Sequence, residues 1–122
     1  PTSLFKTMKL FTALAALTLI AAPAQAGYVT CETTRDTDGS KMIFEYATNE
    51  ASSTLSETVN STGSMQTHRA VYSASTIVAP MRVAGFSGQI QIDRSTGGIK
   101  RSLAGTNWSG SCVAADKPVQ LF

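Results

Sequence analysis

The chain is poor in the side chains that carry most enzyme and metal chemistry. It contains one histidine, His68, and two cysteines, Cys31 and Cys112, among 122 residues. Zinc sites need more clustered cysteines and histidines than this, and a dithiol redox centre needs two closely spaced cysteines. No serine lies in a Gly-x-Ser-x-Gly frame, and Gly97-Gly98 lacks the lysine of a phosphate-binding loop. We therefore expect no cofactor, and the residues identify no catalytic group.

Long apolar runs are also scarce, and the one that is present lies near the start of the chain. Leu10–Ala22 is apolar apart from two threonines, follows Lys9 and ends at Pro23. A membrane-spanning helix needs about 20 apolar residues. The run is therefore short for an uncleaved anchor and typical of a cleavable export signal.

A cleavage site follows this run. Ala24-Gln25-Ala26 places small residues where a signal peptidase requires them. We take Met8 as the start of the leader and predict that residues 1–26, the upstream residues plus the signal peptide, are removed. Residues 27–122 then form a single exported domain, periplasmic or extracellular, which meets a membrane only through the leader before cleavage.

Charge is low and becomes balanced once the leader is gone. Lys6 and Lys9 leave with it, so the ten basic residues fall to eight, equal to the eight acidic ones. Nucleic-acid binding needs a concentrated positive face, so no such partner is expected. The acidic residues concentrate in residues 27–59 and the basic ones in residues 60–122. We favour two halves that fold together and neutralise each other; a two-sided surface for a charged partner is the alternative.

The two cysteines lie near the two ends of the predicted domain. In an oxidising compartment this placement favours a structural disulfide between Cys31 and Cys112. The chain-entropy model gives about 4.5 kcal/mol for a loop of roughly 80 residues. Such a bond would place the first and last strands side by side, with the two Cα atoms within about 7 Å.

The sequence between the cysteines predicts short strands. Tyr28–Thr34 and Lys41–Ala47 flank a turn that contains Asp38-Gly39, a strong hairpin signal. Met65–Ala79 is a longer β run, which Pro80 either ends or places at a sheet edge. We also expect a short strand at Met81–Phe86.

The clearest hairpin spans Ser87–Ala104, with its turn at residues 95–98. The last predicted strand, Asn107–Ala114, holds Trp108 and Cys112 an even number of positions apart, so both side chains are expected in the core. Residues 48–64 are compatible with a loop, a short strand or a short helix. We therefore predict an all-β fold: a small antiparallel sandwich or open barrel of about six to eight short strands, preceded by a cleavable signal helix.

One segment partly fits a calcium-binding pattern. Asp36, Asp38 and Glu45 have nearly the spacing of an EF-hand loop, but Thr34 stands where the first aspartate belongs. The flanking segments are predicted to be strands rather than helices, and a hairpin turn alone explains Asp38. The three residues are therefore a calcium candidate by spacing alone, and no metal site is expected.

His68 is the one side chain with a near-neutral reference pKa. A hydrolytic role would require folding to bring a serine and a carboxylate to it. Because Thr67 and Arg69 flank it on a predicted strand, we expect His68 at the surface.

Ile90–Gly97, IQIDRSTG, followed by Gly110-Ser111-Cys112, resembles a pattern of small exported bacterial proteins of unassigned function. In that pattern a strand ends in Asp/Asn-Arg-x-Thr-Gly, turns back into another strand, and is followed by Gly-x-Cys. The resemblance implies a bacterial source and export, and it transfers no catalytic residue.

These observations favour a non-enzymatic exported module that binds a protein, a glycan or an envelope component. The alternative from another class is a small secreted hydrolase or its accessory domain. A third hypothesis is an envelope or fibre component that self-associates through exposed edge strands.

Overall fold

Nine strands form one antiparallel sheet in the computed structural model, which describes residues 26–115, with side chains from residue 27 onward. They are β1 Ala26–Arg35, β2 Lys41–Asn49, β3 Thr54–Val59, β4 Met65–Arg69, β5 Val71–Tyr72, β6 Thr76–Val83, β7 Phe86–Asp93, β8 Gly98–Leu103 and β9 Thr106–Ala115. Apart from Ala26, the predicted leader lies outside the described residues. In the described part of the chain, no helix has the length and apolar character needed to cross a membrane.

The order of the strands curls the sheet into a nearly closed barrel. It runs β4-β3-β2-β1-β9-β8-β7-β6-β5, so strands that are consecutive in the chain pair with each other, except β4 with β5, and β1 also pairs with β9. The two edge strands, β4 and β5, are separated only by Ala70. The all-β prediction is confirmed. The architecture is a nearly closed barrel rather than a sandwich, and its described residues form nine strands where about six to eight were expected.

Alternating side chains fill the barrel interior, as the two-residue period of a strand requires. The buried core contains Cys31, Phe44, Tyr46, Leu55, Ala70, Ile77, Ala79, Met81, Ile90, Ile92, Ile99 and Trp108. Trp108 therefore lies in the core, as its spacing from Cys112 predicted. Its ring makes an edge contact with Phe44, with 5.9 Å between the ring centroids.

The segment around residues 48–64 is a strand flanked by two turns. β3 places Leu55 and Val59 on the interior face. The helix alternative for this segment is wrong. Positions four apart share a face in a helix and in a strand alike, so the spacing of these two residues did not separate the two structures.

Two Ala-Gly turns close hairpins at one end of the barrel. Ala84 and Gly85 have φ values of 52° and 82°, and Ala104 and Gly105 have values of 53° and 81°. Two consecutive residues with positive φ are the requirement of a type I′ hairpin. The short strand expected at Met81–Phe86 is therefore wrong, because the chain reverses in its middle.

Two glycines let neighbouring strands bend closely around the barrel. A Cβ atom at Gly110 would lie 1.9 Å from the carbonyl oxygen of Glu32, and one at Gly88 would lie 2.1 Å from that of Ser102. No side chain fits at either position. Glycines at such points are the usual means by which a small barrel obtains its curvature.

Candidate functional site

A cavity of about 250 Å³ opens at the end of the barrel where β1 begins and β9 ends. We call it the mouth cavity. Its apolar floor consists of Val29, Ile77, Ile92 and the disulfide residue Cys112. Polar groups surround the opening, and they are Thr48, Glu50, Tyr72, Asp93 and Arg94. An apolar floor beneath a few polar groups is the usual composition of a ligand site.

Arg94 is held at the opening by three contacts. Its Nη2 lies 3.2 Å from Glu50 Oε1, and its Nη1 donates to the Ser73 carbonyl at 2.7 Å. The guanidinium carbon lies 5.9 Å from the centroid of the Tyr72 ring. Both members of the ion pair are about one-third exposed, so the pair contributes little to stability. Its effect is to fix the position of a positive charge beside the cavity.

Tyr72 links β5 to the neighbouring loop. Its hydroxyl donates to the Thr54 carbonyl and accepts the backbone N–H of Asn49 at 3.1 Å. Burial raises the pKa of Tyr72. The phenol therefore remains neutral at neutral pH, and its two hydrogen bonds fix its position at the rim.

Asp93 organises the turn between β7 and β8. Its Oδ1 accepts the backbone N–H groups of Ser95 and Thr96 at 2.9 and 3.1 Å, and the Ser95 hydroxyl at 2.7 Å. The hydrogen bond from the Ser95 side chain, followed by the two backbone donors, lowers the pKa of Asp93. The carboxylate is therefore ionised at neutral pH and anchors this side of the rim.

The disulfide lies at the junction where the first and last strands close the barrel. Cys31 and Cys112 are directly opposite each other in the β1–β9 pairing, with Cα atoms 3.9 Å apart. This is within the separation expected from the sequence. Cys31 is fully buried, whereas Cys112 contributes to the mouth cavity.

The segment that carries the bacterial resemblance is continuous in space. Gly97 ends the β7–β8 turn, and its carbonyl accepts the backbone N–H of Cys112 at 2.7 Å. Asp93, Arg94 and Gly97 of this turn line the mouth cavity together with Cys112 of the last strand. No family model, curated protein or solved structure matches this chain.

A cluster of hydrogen-bonded polar side chains lies deep inside the barrel. Arg101 donates from Nε and Nη2 to the two carboxylate oxygens of Glu57, at 2.7 and 2.8 Å. The Tyr46 hydroxyl donates to the same carboxylate at 2.6 Å. The guanidinium carbon lies 4.4 Å from the Phe44 ring centroid and 4.6 Å from the Trp108 ring.

Sequence reasoning missed this group, although its signal was present. Arg101 lies between Ile99 and Leu103 at the same two-residue period, and Glu57 lies likewise between Leu55 and Val59. Strict alternation therefore places both charged residues inside. Burial and the Glu57 carboxylate raise the pKa of the Tyr46 phenol, burial having the larger effect.

His68 faces the interior rather than the surface. It is opposite Leu55 in the β3–β4 pairing and half-buried, whereas Thr67 and Arg69 are exposed. The surface prediction is wrong because the alternation turns its two neighbours outward. Its Nε2 atom is buried and has no hydrogen-bond partner among residues 26–115. Desolvation lowers the pKa of His68, and the described residues place no serine hydroxyl on this nitrogen.

The three residues of the calcium candidate are engaged separately. Asp38 forms an ion pair with Arg35 at 3.0 Å and accepts the Ser40 N–H, and these contacts, the backbone one first, lower its pKa to about 2. Asp36 accepts the Asn107 side-chain amide at 3.2 Å. Glu45 lies in the middle of β2. Within the described range, no three Asp, Glu, His or Cys side chains are placed to hold a metal ion.

Proposed function

We propose that this protein is a non-enzymatic exported binding domain whose ligand enters the mouth cavity. The observation that carries the proposal is the combination of an apolar floor, formed by Val29, Ile77 and Ile92, with anchored polar groups at the rim. A volume of about 250 Å³ corresponds to roughly eight waters in the liquid. It suits one protruding group of a larger partner, whether a protein, a glycan or an envelope component.

The rim supports this function because its groups are already fixed. Arg94, Tyr72 and Asp93 each make at least two polar contacts within the domain. Groups that are ordered before binding lose less conformational entropy when the ligand arrives. The rim carries one guanidinium and two carboxylates, so the ligand group should have an apolar body and a polar end.

Export is supported by the disulfide, since such bonds persist in oxidising compartments and are rare in the cytosol. The bond also helps to hold the cavity open. It fixes β1 beside β9, and both strands contribute residues to the lining. A binding site in this position therefore depends on oxidation of the domain.

The experiment that tests this proposal places a tryptophan side chain in the mouth cavity and compares dye binding with that of a control variant. Ala114 is exposed and lines the mouth cavity, whereas Ser111 is exposed on the same strand but outside it. The probe is anilinonaphthalene sulfonate, an apolar dye with a charged end whose fluorescence rises when it leaves water. Ala114→Trp should weaken dye binding by roughly tenfold, and Ser111→Trp should leave it unchanged. Equal binding by both variants, or no dye binding by the oxidised domain, would overturn the proposal.

A further inference from the structure

The barrel has a seam where β4 and β6 lie next to each other without pairing. The β5–β6 ladder consists of Val71 with Val78 and Tyr72 with Ile77, and no β4–β6 ladder continues it. Within the described residues, β4 and the second half of β6 therefore each have one side without a hydrogen-bonded neighbour.

The direction of the backbone groups in β4 follows from the bonds at its two ends. The N–H of Ala70 donates to the Ser53 carbonyl, and the carbonyl of Ser64 accepts the Val59 N–H. Residues 64 and 70 thus direct their backbone groups toward β3. Because these groups alternate along a strand, residues 65, 67 and 69 direct theirs into the seam.

The same reasoning applies to β6 on the other side of the seam. The N–H of Ser73 donates to the Thr76 carbonyl, so the even-numbered residues of β6 direct their backbone groups toward the side that β5 occupies. Residues 80 and 82 lie past the two-residue β5 ladder, so their backbone groups face the seam. Pro80 is one of them, and it has no N–H to donate. A proline inside a strand is tolerated where its nitrogen faces an unpaired edge. Of the two alternatives for Pro80, the end of a strand or a sheet edge, the structure has the second: Pro80 lies within β6, and its nitrogen is on the side without a partner among the described residues.

The charges beside the seam also oppose pairing of β4 with β6. Continued from Val71–Val78, the register would place Arg69 opposite Pro80 and, two pairs further along, Thr67 opposite Arg82. Both arginines are exposed, and neither has an ion-pair partner among residues 26–115. Like charges on neighbouring strands are unfavourable.

The surface along the seam combines this positive charge with exposed apolar groups. Met65 and Val71 are 67% and 69% exposed. An open groove of about 560 Å³ runs past Arg69, Ala70, Val71 and Pro80. Residues 60–92 contain no aspartate or glutamate. Glu50 also lines the groove, and its carboxylate is paired with Arg94.

We propose that the free edge of β4 accepts an extended acidic segment of a partner protein by strand addition. The backbone groups of Met65, Thr67 and Arg69 bond the added strand, and main-chain bonds of this kind provide affinity. Alternate acidic side chains of the segment reach Arg69 and Arg82. This surface goes beyond the proposed function, since it lies along the wall of the barrel. A second copy of β4 would bring its own Arg69 to the same edge and be repelled.

The probe is a labelled peptide in which glutamate and valine alternate, and its binding is followed by fluorescence anisotropy. The oxidised domain should bind it, and a peptide that alternates lysine and valine should bind at least about tenfold more weakly. Methylating alternate backbone nitrogens of the acidic peptide should abolish binding, because strand addition requires those donors. Amide exchange of Met65, Thr67 and Arg69 should slow when the acidic peptide is present.

Charge reversal provides the matched test. The double variant Arg69→Glu with Arg82→Glu should bind the acidic peptide roughly tenfold or more weakly than the unaltered domain. Lys100→Glu, an exposed reversal on β8, should have no effect. If the double reversal disturbs folding, Arg69→Gln with Arg82→Gln replaces it, and a several-fold loss is expected. Binding that survives methylation or charge reversal, absence of binding, or sedimentation showing that β4 pairs two copies of the chain would each overturn the proposal.

Discussion

Arg101 and Glu57 form a two-hydrogen-bond ion pair across the inside of the barrel, at 2.7 and 2.8 Å. They lie on β8 and β3, which are not neighbours in the sheet. The pair therefore ties two separate walls of the barrel together. Each side chain is only 5–6% exposed, so both charges have lost their water. A buried pair of this kind is weak evidence for stability, but loss of one partner is costly.

We predict that Glu57→Gln lowers the free energy of unfolding by about 3–5 kcal/mol. The substitution leaves the Arg101 charge buried without a counter-charge, and the Tyr46 hydroxyl loses its carboxylate acceptor. Urea unfolding of the oxidised domain, followed by Trp108 fluorescence, measures the loss.

The double variant Glu57→Leu with Arg101→Met is the control for this prediction. It removes both charges and keeps apolar volume, so it should recover most of the lost stability. If the double variant were as unstable as Glu57→Gln, the packing of the side chains rather than the unpaired charge would be responsible.

The disulfide should be a large part of the stability of this small domain. Cys31 and Cys112 are 81 positions apart, and closing such a loop contributes about 4.5 kcal/mol in the chain-entropy model. Replacing both cysteines by alanine should therefore lower the unfolding free energy by several kcal/mol. Reduction of the unaltered domain should have a similar effect. A double variant as stable as the oxidised protein would contradict the entropic account.

The sequence predicted those features that depend on local pattern. The strands around Asp38-Gly39 and around residues 95–98 follow from alternation and turn residues, and the closeness of β1 and β9 follows from the cysteines. We also expect from the sequence that the acid-rich residues 27–59 and the base-rich residues 60–122 fold against each other, and two ion pairs bear on this expectation. Glu50–Arg94 and Glu57–Arg101 each join an acid of residues 27–59 to a base of residues 60–122.

Features that arise only when the sheet curls into a barrel could not be predicted from the local sequence pattern. The position of His68 depends on which face of β4 turns inward, and that is set by the strands on either side. The mouth cavity is formed by residues of β1, β2, β5, β6, β7 and β9, so no local motif marks it. Ala84-Gly85 was missed because alanine is an uncommon residue at positive φ.

Gly110 should tolerate no side chain. A Cβ atom there would lie 1.9 Å from the Glu32 carbonyl oxygen and 2.8 Å from Thr33 Cα. Both are backbone atoms, so relief requires β1 to move away from β9. We expect Gly110→Ala to destabilise the domain by about 1–3 kcal/mol or more. Gly98→Ala is the control, since its Cβ would approach only the Thr96 hydroxyl at 3.4 Å. Comparable unfolding midpoints for the two variants would argue against the close approach at Gly110.

Stability should depend on pH through His68. Desolvation, the largest effect, and the nearby Arg101 charge lower its pKa from the ordinary 6.5, while Glu57 opposes the shift. Below pH 6.5 His68 is therefore protonated in the unfolded chain, while in the folded chain it stays neutral until the pH reaches its lowered pKa. The stabilisation is present above 6.5 and is lost as the pH falls toward the lowered pKa.

Replacing His68 by glutamine should remove this dependence, because the chain has no other histidine. Urea unfolding at about pH 5 and about pH 8 gives the comparison. The difference between the two pH values should be smaller in His68→Gln than in the unaltered domain. An identical difference in both proteins would show that protonation of His68 does not affect folding.

Pro80 should be the residue that keeps the seam open. In the register continued from β5, Pro80→Val would supply an N–H opposite the Arg69 carbonyl, and the β5–β6 ladder could then extend to β4. Losing proline costs about 0.4–1 kcal/mol through the unfolded chain, and one new hydrogen bond contributes about 1 kcal/mol, so global stability should hardly change. Amide exchange is therefore the sensitive measurement. The amide at position 80 should be protected, and binding of the Glu-Val peptide should weaken. Exchange at position 80 as fast as in an unstructured peptide would mean that something other than the missing donor holds β4 and β6 apart.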